Sequence, residues 1–263
     1  MRFTKMQGLG NDYLYVYGEV PENIASLSRK LSDRHFGAGS DGMIYITPSE
    51  QADFRMRIFN ADGSEAMMCG NGIRCVGKYV YEKKLTEKTE LAIETNSGIR
   101  HITLDVSEGK VGSVSVKMGK AEVCEPVRIT ALEKEYELIP VSVGNPHAVI
   151  LTDAAEAVPL AKIGPVIEHH PLFPGGVNVE FVEKTGVNRL RMRVWERGSG
   201  ITMACGTGAS ASAAAAAAHG LCDMNTPVSV QLDGGTLAIT VSEAYEITMQ
   251  GPAEFVYEGE AYL

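Results

Sequence analysis

The chain repeats itself at half its length. Met68-Cys69-Gly70-Asn71-Gly72 and Ala204-Cys205-Gly206-Thr207-Gly208 set two cysteines in matching Cys-Gly-x-Gly frames, 136 positions apart in a sequence of 263 residues. The register extends upstream. Arg55-Met56-Arg57-Ile58-Phe59 matches Arg191-Met192-Arg193-Val194-Trp195 and Met67 matches Met203 at the same offset, while Gly10-Asn11 matches Gly144-Asn145 at an offset of 134. A strand-like segment, a loop and a cysteine kept in step mark a duplicated structural unit. The duplication predicts two domains of one architecture related by a pseudo-twofold axis, with a cysteine on each side of a shared cleft. They are expected at 1–117, with a returning strand near 252–263, and at 118–251.

Short alternating runs predict strands: Met43 to Ile46, Arg55 to Phe59, Leu91 to Glu94, Ile102 to Val106 and Val111 to Met118 in the first half. In the second half they are Val141 to Val143, Ala148 to Leu151, Val177 to Val182, Leu190 to Trp195, Val228 to Leu232 and Leu237 to Val241. Helical spacing is rarer, at Ile24 to Arg34, Gly72 to Tyr81 and Gly208 to Ala218. The last is nearly all Ala and Ser, a strong helix former with no charged face, and His219-Gly220 terminates it. A helix lacking a polar face belongs inside the protein. The expected fold class is therefore α+β of the α/β roll type, each half a curved mixed sheet wrapped around one central helix.

With 44% hydrophobic residues the chain can bury a large core. It contains no run of about 18 apolar residues, and no apolar signal core follows Met1. The net charge of −9, with Lys and Arg spread along the chain, offers no basic block for a phosphate backbone. Neither nucleic acid nor membrane is an expected partner. Five cysteines, an odd number, argue against a disulfide framework and for a reducing, cytoplasmic setting.

A cysteine at a helix start meets the positive end of the helix dipole and unpaired backbone N–H groups. These should depress its pKa below about 8.5 and enrich the thiolate. The glycines at 70, 72, 206 and 208 let the same amides approach a carboxylate. Either cysteine alone would pass for a packed small residue; two in duplicated frames point to chemistry. Cys75, Cys124 and Cys222 are expected to be structural, and no metal-ligand spacing is present. Polar candidates beside the thiols are Asn11, Asn60, Asn145, Asn178, Glu196 and Arg197, with His147 placed to tune a thiol's protonation.

Five segments in order carry a resemblance: Lys5 to Asp12 (KMQGLGND), Phe59 to Ser64 (FNADGS), Met68 to Cys75 (MCGNGIRC), Gly144 to His147 (GNPH) and Glu196 to Gly208 (ERGSGITMACGTG). Together they resemble diaminopimelate epimerase over essentially the whole chain. The resemblance implies a homodimeric enzyme that interconverts LL- and meso-2,6-diaminopimelate, on the route to lysine and peptidoglycan, with no cofactor and no metal. It implies Cys69 and Cys205 as the acid/base pair, and Asn11, Asn60, Asn145, Asn178, Glu196 and Arg197 as substrate contacts. Gly70, Asn71, Gly206 and Thr207 would be backbone donors to the reacting carboxylate, and His147 and Glu196 would modulate the thiols. One position departs: some family members carry Gln where this chain has Gly42, so no side-chain contact is expected there. Alternative readings are a proline or hydroxyproline-type racemase, with a smaller pocket, and a hydrolase using a single cysteine with a His base.

Overall fold

The computed structural model describes residues 1–262. The chain divides into two compact units, Met1–Val116 with the segment from Gly251 onward, and Lys117–Gln250.

The first unit opens with a tight hairpin. Leu9 and Gly10 both take positive φ, 57° and 84°, the left-handed pair that matches the twist of the flanking strands. Arg2–Gly8 pairs antiparallel with Asn11–Tyr17 on one side and with Glu254–Glu260 on the other. Asn11–Tyr17 runs parallel to Gly42–Thr47. Parallel neighbours need a crossover, and helix α1 (Ile24–Ser32) supplies it. Gly42–Thr47 returns antiparallel against Phe54–Asn60, which runs parallel to Glu90–Thr95 across helix α2 (Gly70–Glu82). Gly98–Ser107 and Lys110–Lys120 complete the antiparallel tail.

The second unit repeats this order. Lys134–Ser142 pairs antiparallel with Pro146–Leu151, which runs parallel to Asn178–Gly186 across helix α3 (Leu160–Glu168). Asn178–Gly186 pairs antiparallel with Arg189–Glu196, which runs parallel to Pro227–Leu232 across helix α4 (Gly206–Ala218). Gly235–Val241 and Glu246–Gly251 follow antiparallel. Both halves thus use the same sequence of antiparallel and parallel steps, as the sequence repeat predicts.

Strand alternation assigns a helix to each face of each sheet. In the first unit Leu14, Met43, Tyr45 and Phe59 pack with Leu27 and Leu31 of α1. The intervening Tyr15 and Ile44 face α2: the Tyr15 hydroxyl donates to the Gly72 carbonyl at 3.3 Å, and Ile44 Cδ1 lies against Gly72. In the second unit Leu160, Ile163 and Ile167 of α3 pack on Ala148, Ile150, Val179 and Phe181. Helix α4 is buried along nearly its whole length and touches seven strands of its own unit. Small side chains permit that close approach.

Several elements fall outside the predicted runs, including Arg2–Gly8, Asn11–Tyr17, Val127–Ala131 and α3. Asn11–Tyr17 is buried on both faces, so it shows no alternation. Helix α3 contains Gly164-Pro165, a turn signal. Yet Gly164 is there for packing, since a Cβ at that position would stand 2.5 Å from Trp195 Cγ. Helix α1 stops two residues earlier than its spacing suggests. Asp33 Oδ1 accepts from the amides of His35 and Phe36, both at 2.7 Å, and turns the chain away.

Candidate active site

Each repeated cysteine is the N-cap of its helix. Cys69 and Cys205 take extended backbone angles, and each Sγ accepts from the amide three residues on, Gly72 and Gly208, both at 3.3 Å. In this position a sulfur replaces the usual capping oxygen. By helix geometry the next amides, those of Gly206 and Thr207 in α4, have no intrahelical acceptor and point outward from the helix start. The two thiols share this backbone, but their side-chain surroundings differ.

Around Cys69 the neighbours are amides, a phenol and a buried guanidinium. The thiol donates to Asn11 Oδ1 at 3.3 Å, and Asn11 Nδ2 in turn donates to Asp41 Oδ2 at 2.8 Å. Asp41 is fixed by the Asp12 amide at 3.0 Å and by Arg34 at 2.9 Å. Burial pushes the Asp12 carboxyl up, but hydrogen bonds and charge from Arg34 and Lys5 outweigh it and hold it below its ordinary value. Tyr13 is buried, and its hydroxyl is held neutral by burial first and by the adjacent Cys69 second. Arg74, fully buried one turn into α2, donates to the Gly70 carbonyl at 3.2 Å and to the Pro252 carbonyl at 3.0 Å. Asn71 is buried, and Asn60 sits in the turn before Cys69, its Nδ2 donating to Ser64 Oγ at 3.1 Å.

The glycine at 42 has a physical cause. It takes φ of +157°, and a Cβ there would stand 2.2 Å from the Phe59 carbonyl oxygen. A side chain at 42 therefore cannot be accommodated on this backbone. The corresponding place in the other unit, 136 residues on, is Asn178.

Around Cys205 the neighbours are carboxylates. His147 and Glu180 are both fully buried, with His147 Nδ1 and Glu180 Oε1 at 2.7 Å. His147 Nε2 lies 3.1 Å from Asn145 Oδ1, Asn145 Nδ2 donates to Thr207 Oγ1 at 3.3 Å, and Thr207 Oγ1 lies 3.5 Å from Cys205 Sγ. A polar chain thus runs from Glu180 to the thiol. Glu196 is bonded to the Thr202 hydroxyl and to Cys205, and burial pushes its carboxyl above the usual range. Asn178 is spent on backbone: Nδ2 donates to the Pro146 carbonyl at 3.0 Å and Oδ1 accepts the Arg197 amide at 3.0 Å. The Arg197 guanidinium donates to the Gly175 carbonyl at 3.2 Å from an exposed position.

The expectation of a depressed thiol pKa fails at Cys205, which is raised well above its ordinary value. Burial is the largest cause, followed by the negative charges of Glu196 and Glu180. The Thr207 hydroxyl and Gly208 amide favour the thiolate but are outweighed. Glu180 is the residue the sequence did not single out, because on a strand reading Val-Glu-Phe it looks like an outward-facing position. Asp41 was also missed, its role being to orient Asn11.

The unit 1 chemistry thus brings together Asn11, Cys69, Gly70 and Asn71, with Asn60 in the preceding turn. The unit 2 chemistry brings together Asn145, His147, Glu196, Cys205, Gly206 and Thr207, with Asn178 and Arg197 at the strand ends. Among the described residues, no three His, Cys, Asp or Glu side chains are arranged to hold a metal ion. No helix of the described residues is long and apolar enough to cross a membrane.

The proteins similar in sequence agree on one family. The diaminopimelate epimerase family model matches residues 3–124 and 139–256. A diaminopimelate epimerase of Acetivibrio thermocellus is 49% identical over 281 aligned residues, covering 100% of this chain and 99% of the relative. One of Methanococcus maripaludis is 50% identical over 276, covering 99% of each. Among solved structures, a probable proline racemase from Agrobacterium radiobacter has a TM-score of 0.75 at 18% identity, covering 100% of this chain and 93% of its own. That likeness shows the fold alone. The matched motifs, the full-length coverage and the paired capping cysteines place the chain in the diaminopimelate epimerase family.

Proposed function

We propose that this protein epimerises 2,6-diaminopimelate between its LL and meso forms without a cofactor, with Cys69 and Cys205 as the acid/base pair. The observation that carries the reading is the duplicated cap: two thiols in equivalent frames, each seated among helix-start amides. One thiolate takes the α-proton while the opposing thiol delivers its own proton to the other face of the same carbon. Configuration inverts, and the two sulfurs exchange protonation states. The α-proton of an amino acid is very weakly acidic, so the developing carbanion has to be stabilised through the carboxylate. Backbone amides of Gly70, Asn71, Gly206 and Thr207 and the helix dipoles supply that stabilisation.

Asn11, Asn60, Asn145 and Asn178 position the substrate, Glu196 takes an ammonium group, and the exposed guanidinium of Arg197 takes the distal carboxylate that a monocarboxylic substrate such as proline lacks. His147 and Glu196 modulate the thiols. The enzyme works in the cytoplasm as a homodimer. Purified protein supplied only with LL-diaminopimelate should produce the meso isomer and should leave L-proline unchanged. Racemisation of proline, or a covalent acyl intermediate on one cysteine, would overturn this assignment.

A further inference from the structure

We propose that Glu180 is a positioning residue that keeps Cys205 protonated in the resting enzyme. This rests on the two-thiol reading above. Glu180 has no exposed surface, and its Oε2 has no hydrogen-bond partner. Its Oε1 faces the first turn of α4 so closely that a Cβ on Gly208 would stand 2.8 Å from it, with Cys205 Sγ at 3.3 Å from the same point. A buried carboxylate set against a thiol disfavours the second negative charge that ionisation would create.

The groups facing Cys205 come from four elements. Glu196 approaches from the strand Arg189–Glu196 and Glu180 from Asn178–Gly186. His147 on Pro146–Leu151 is paired to Glu180 and is joined to the thiol through Asn145 and Thr207, and Thr207 and Gly208 donate from α4. The equivalent positions in the first unit invert this arrangement. Ile44 stands 136 residues before Glu180, and Arg74 stands 136 before Ser210. Ser210 is bonded to the Gly206 carbonyl at 2.9 Å, as Arg74 is to that of Gly70. A buried cation therefore accompanies Cys69 where a buried anion accompanies Cys205. Ionisation of Cys205 is opposed by a charge that has no counterpart at the equivalent position beside Cys69.

The test uses the full chain labelled with ¹³Cβ-cysteine, its five cysteine signals assigned by single substitution and followed through a pH titration. In the unaltered protein the Cys205 signal should titrate above the ordinary range of a cysteine thiol. In Glu180→Gln, similar in shape and able to keep a bond to His147, the Cys205 midpoint should fall by about one unit, a tenfold gain in thiolate where the thiol predominates. The Cys69 midpoint should stay in place. An unchanged Cys205 midpoint in folded Glu180→Gln would overturn the proposal. If that variant does not fold, the unaltered protein still decides, because a Cys205 midpoint at or below about 8.5, the value of an unburied thiol, overturns it. The titration requires no turnover, so it reports on Glu180 even if the epimerase reading fails. Epimerisation by a Cys205→Ala variant would sink that reading alone.

Discussion

The turn that presents Cys69 and the turn that presents Cys205 share a backbone and differ in buried charge. Each begins with a capping cysteine that accepts a glycine amide at 3.3 Å. Around the first lie Asn11, Tyr13 and Arg74; around the second lie Glu180, Glu196 and His147. Helix-start geometry alone would make both thiols acidic. Burial and two carboxylates reverse that outcome for Cys205. The repeated backbone therefore fixes where each sulfur sits on its helix, and the strands behind surround the two with unlike charge.

The largest expected effect treats the two turns as equals. Cys69→Ala and Cys205→Ala should each reduce epimerisation by at least about 10³-fold in a steady-state assay, the scale of a lost acid or base. Near-normal turnover by either variant would break the symmetry of the pair. The next effect separates them. His147→Ala leaves Glu180 buried without its partner and should cost about 3–5 kcal/mol in urea unfolding. Tyr13→Phe, at the corresponding place 134 residues earlier, removes one hydroxyl and should cost at most about 1.5 kcal/mol. Equal losses would mean that the His147–Glu180 pair is no more deeply committed than the phenol.

A smaller effect concerns pH. Burial raises the Cys75 thiol of α2 from 9.0 to about 11, with a hydrogen bond from Tyr15 and the charge of Arg74 opposing it. The folded protein resists this ionisation more than the unfolded chain does. The stabilising contribution is complete below pH 9 and is lost as pH rises through about 11. Unfolding free energy should accordingly drop by about 2–3 kcal/mol over that window, and Cys75→Ala should flatten that part of the profile. The smallest effect compares equivalent arginines. Arg191 is nearly buried between Glu156, at 2.7 Å, and Asp233, whereas Arg55 is 42% exposed and lies 3.5 Å from Glu94. Arg191→Met should cost about 1–3 kcal/mol in thermal or urea unfolding, and Arg55→Met no more than about 1.

Much of this was legible in the sequence because duplication preserves spacing. The 136-residue offset located both capping cysteines, both central helices and the strands before them. Alternation gives no signal where strands are covered on both faces, as at Asn11–Tyr17, and Gly164-Pro165 masks the helical pattern of α3, where Gly164 makes room for Trp195. At the site, Asn11, Asn145 and His147 stood out through their motifs. Glu180 did not, since nothing in Asn178-Val179-Glu180-Phe181 reveals that its side chain is turned inward to meet an imidazole. The direction of the Cys205 shift was equally hidden. It depends on charges brought from two strands, at Glu196 and Glu180.

The central claim, two thiols working on opposite faces of one carbon, is tested most directly by proton exchange. LL-diaminopimelate incubated with the protein in deuterated water, and followed by mass spectrometry and chiral separation, should yield meso product carrying one solvent deuterium at the inverted α-carbon. Neither Cys69→Ala nor Cys205→Ala should form that labelled product. Meso product without deuterium at that carbon, or labelled product at an undiminished rate from either variant, would contradict the account.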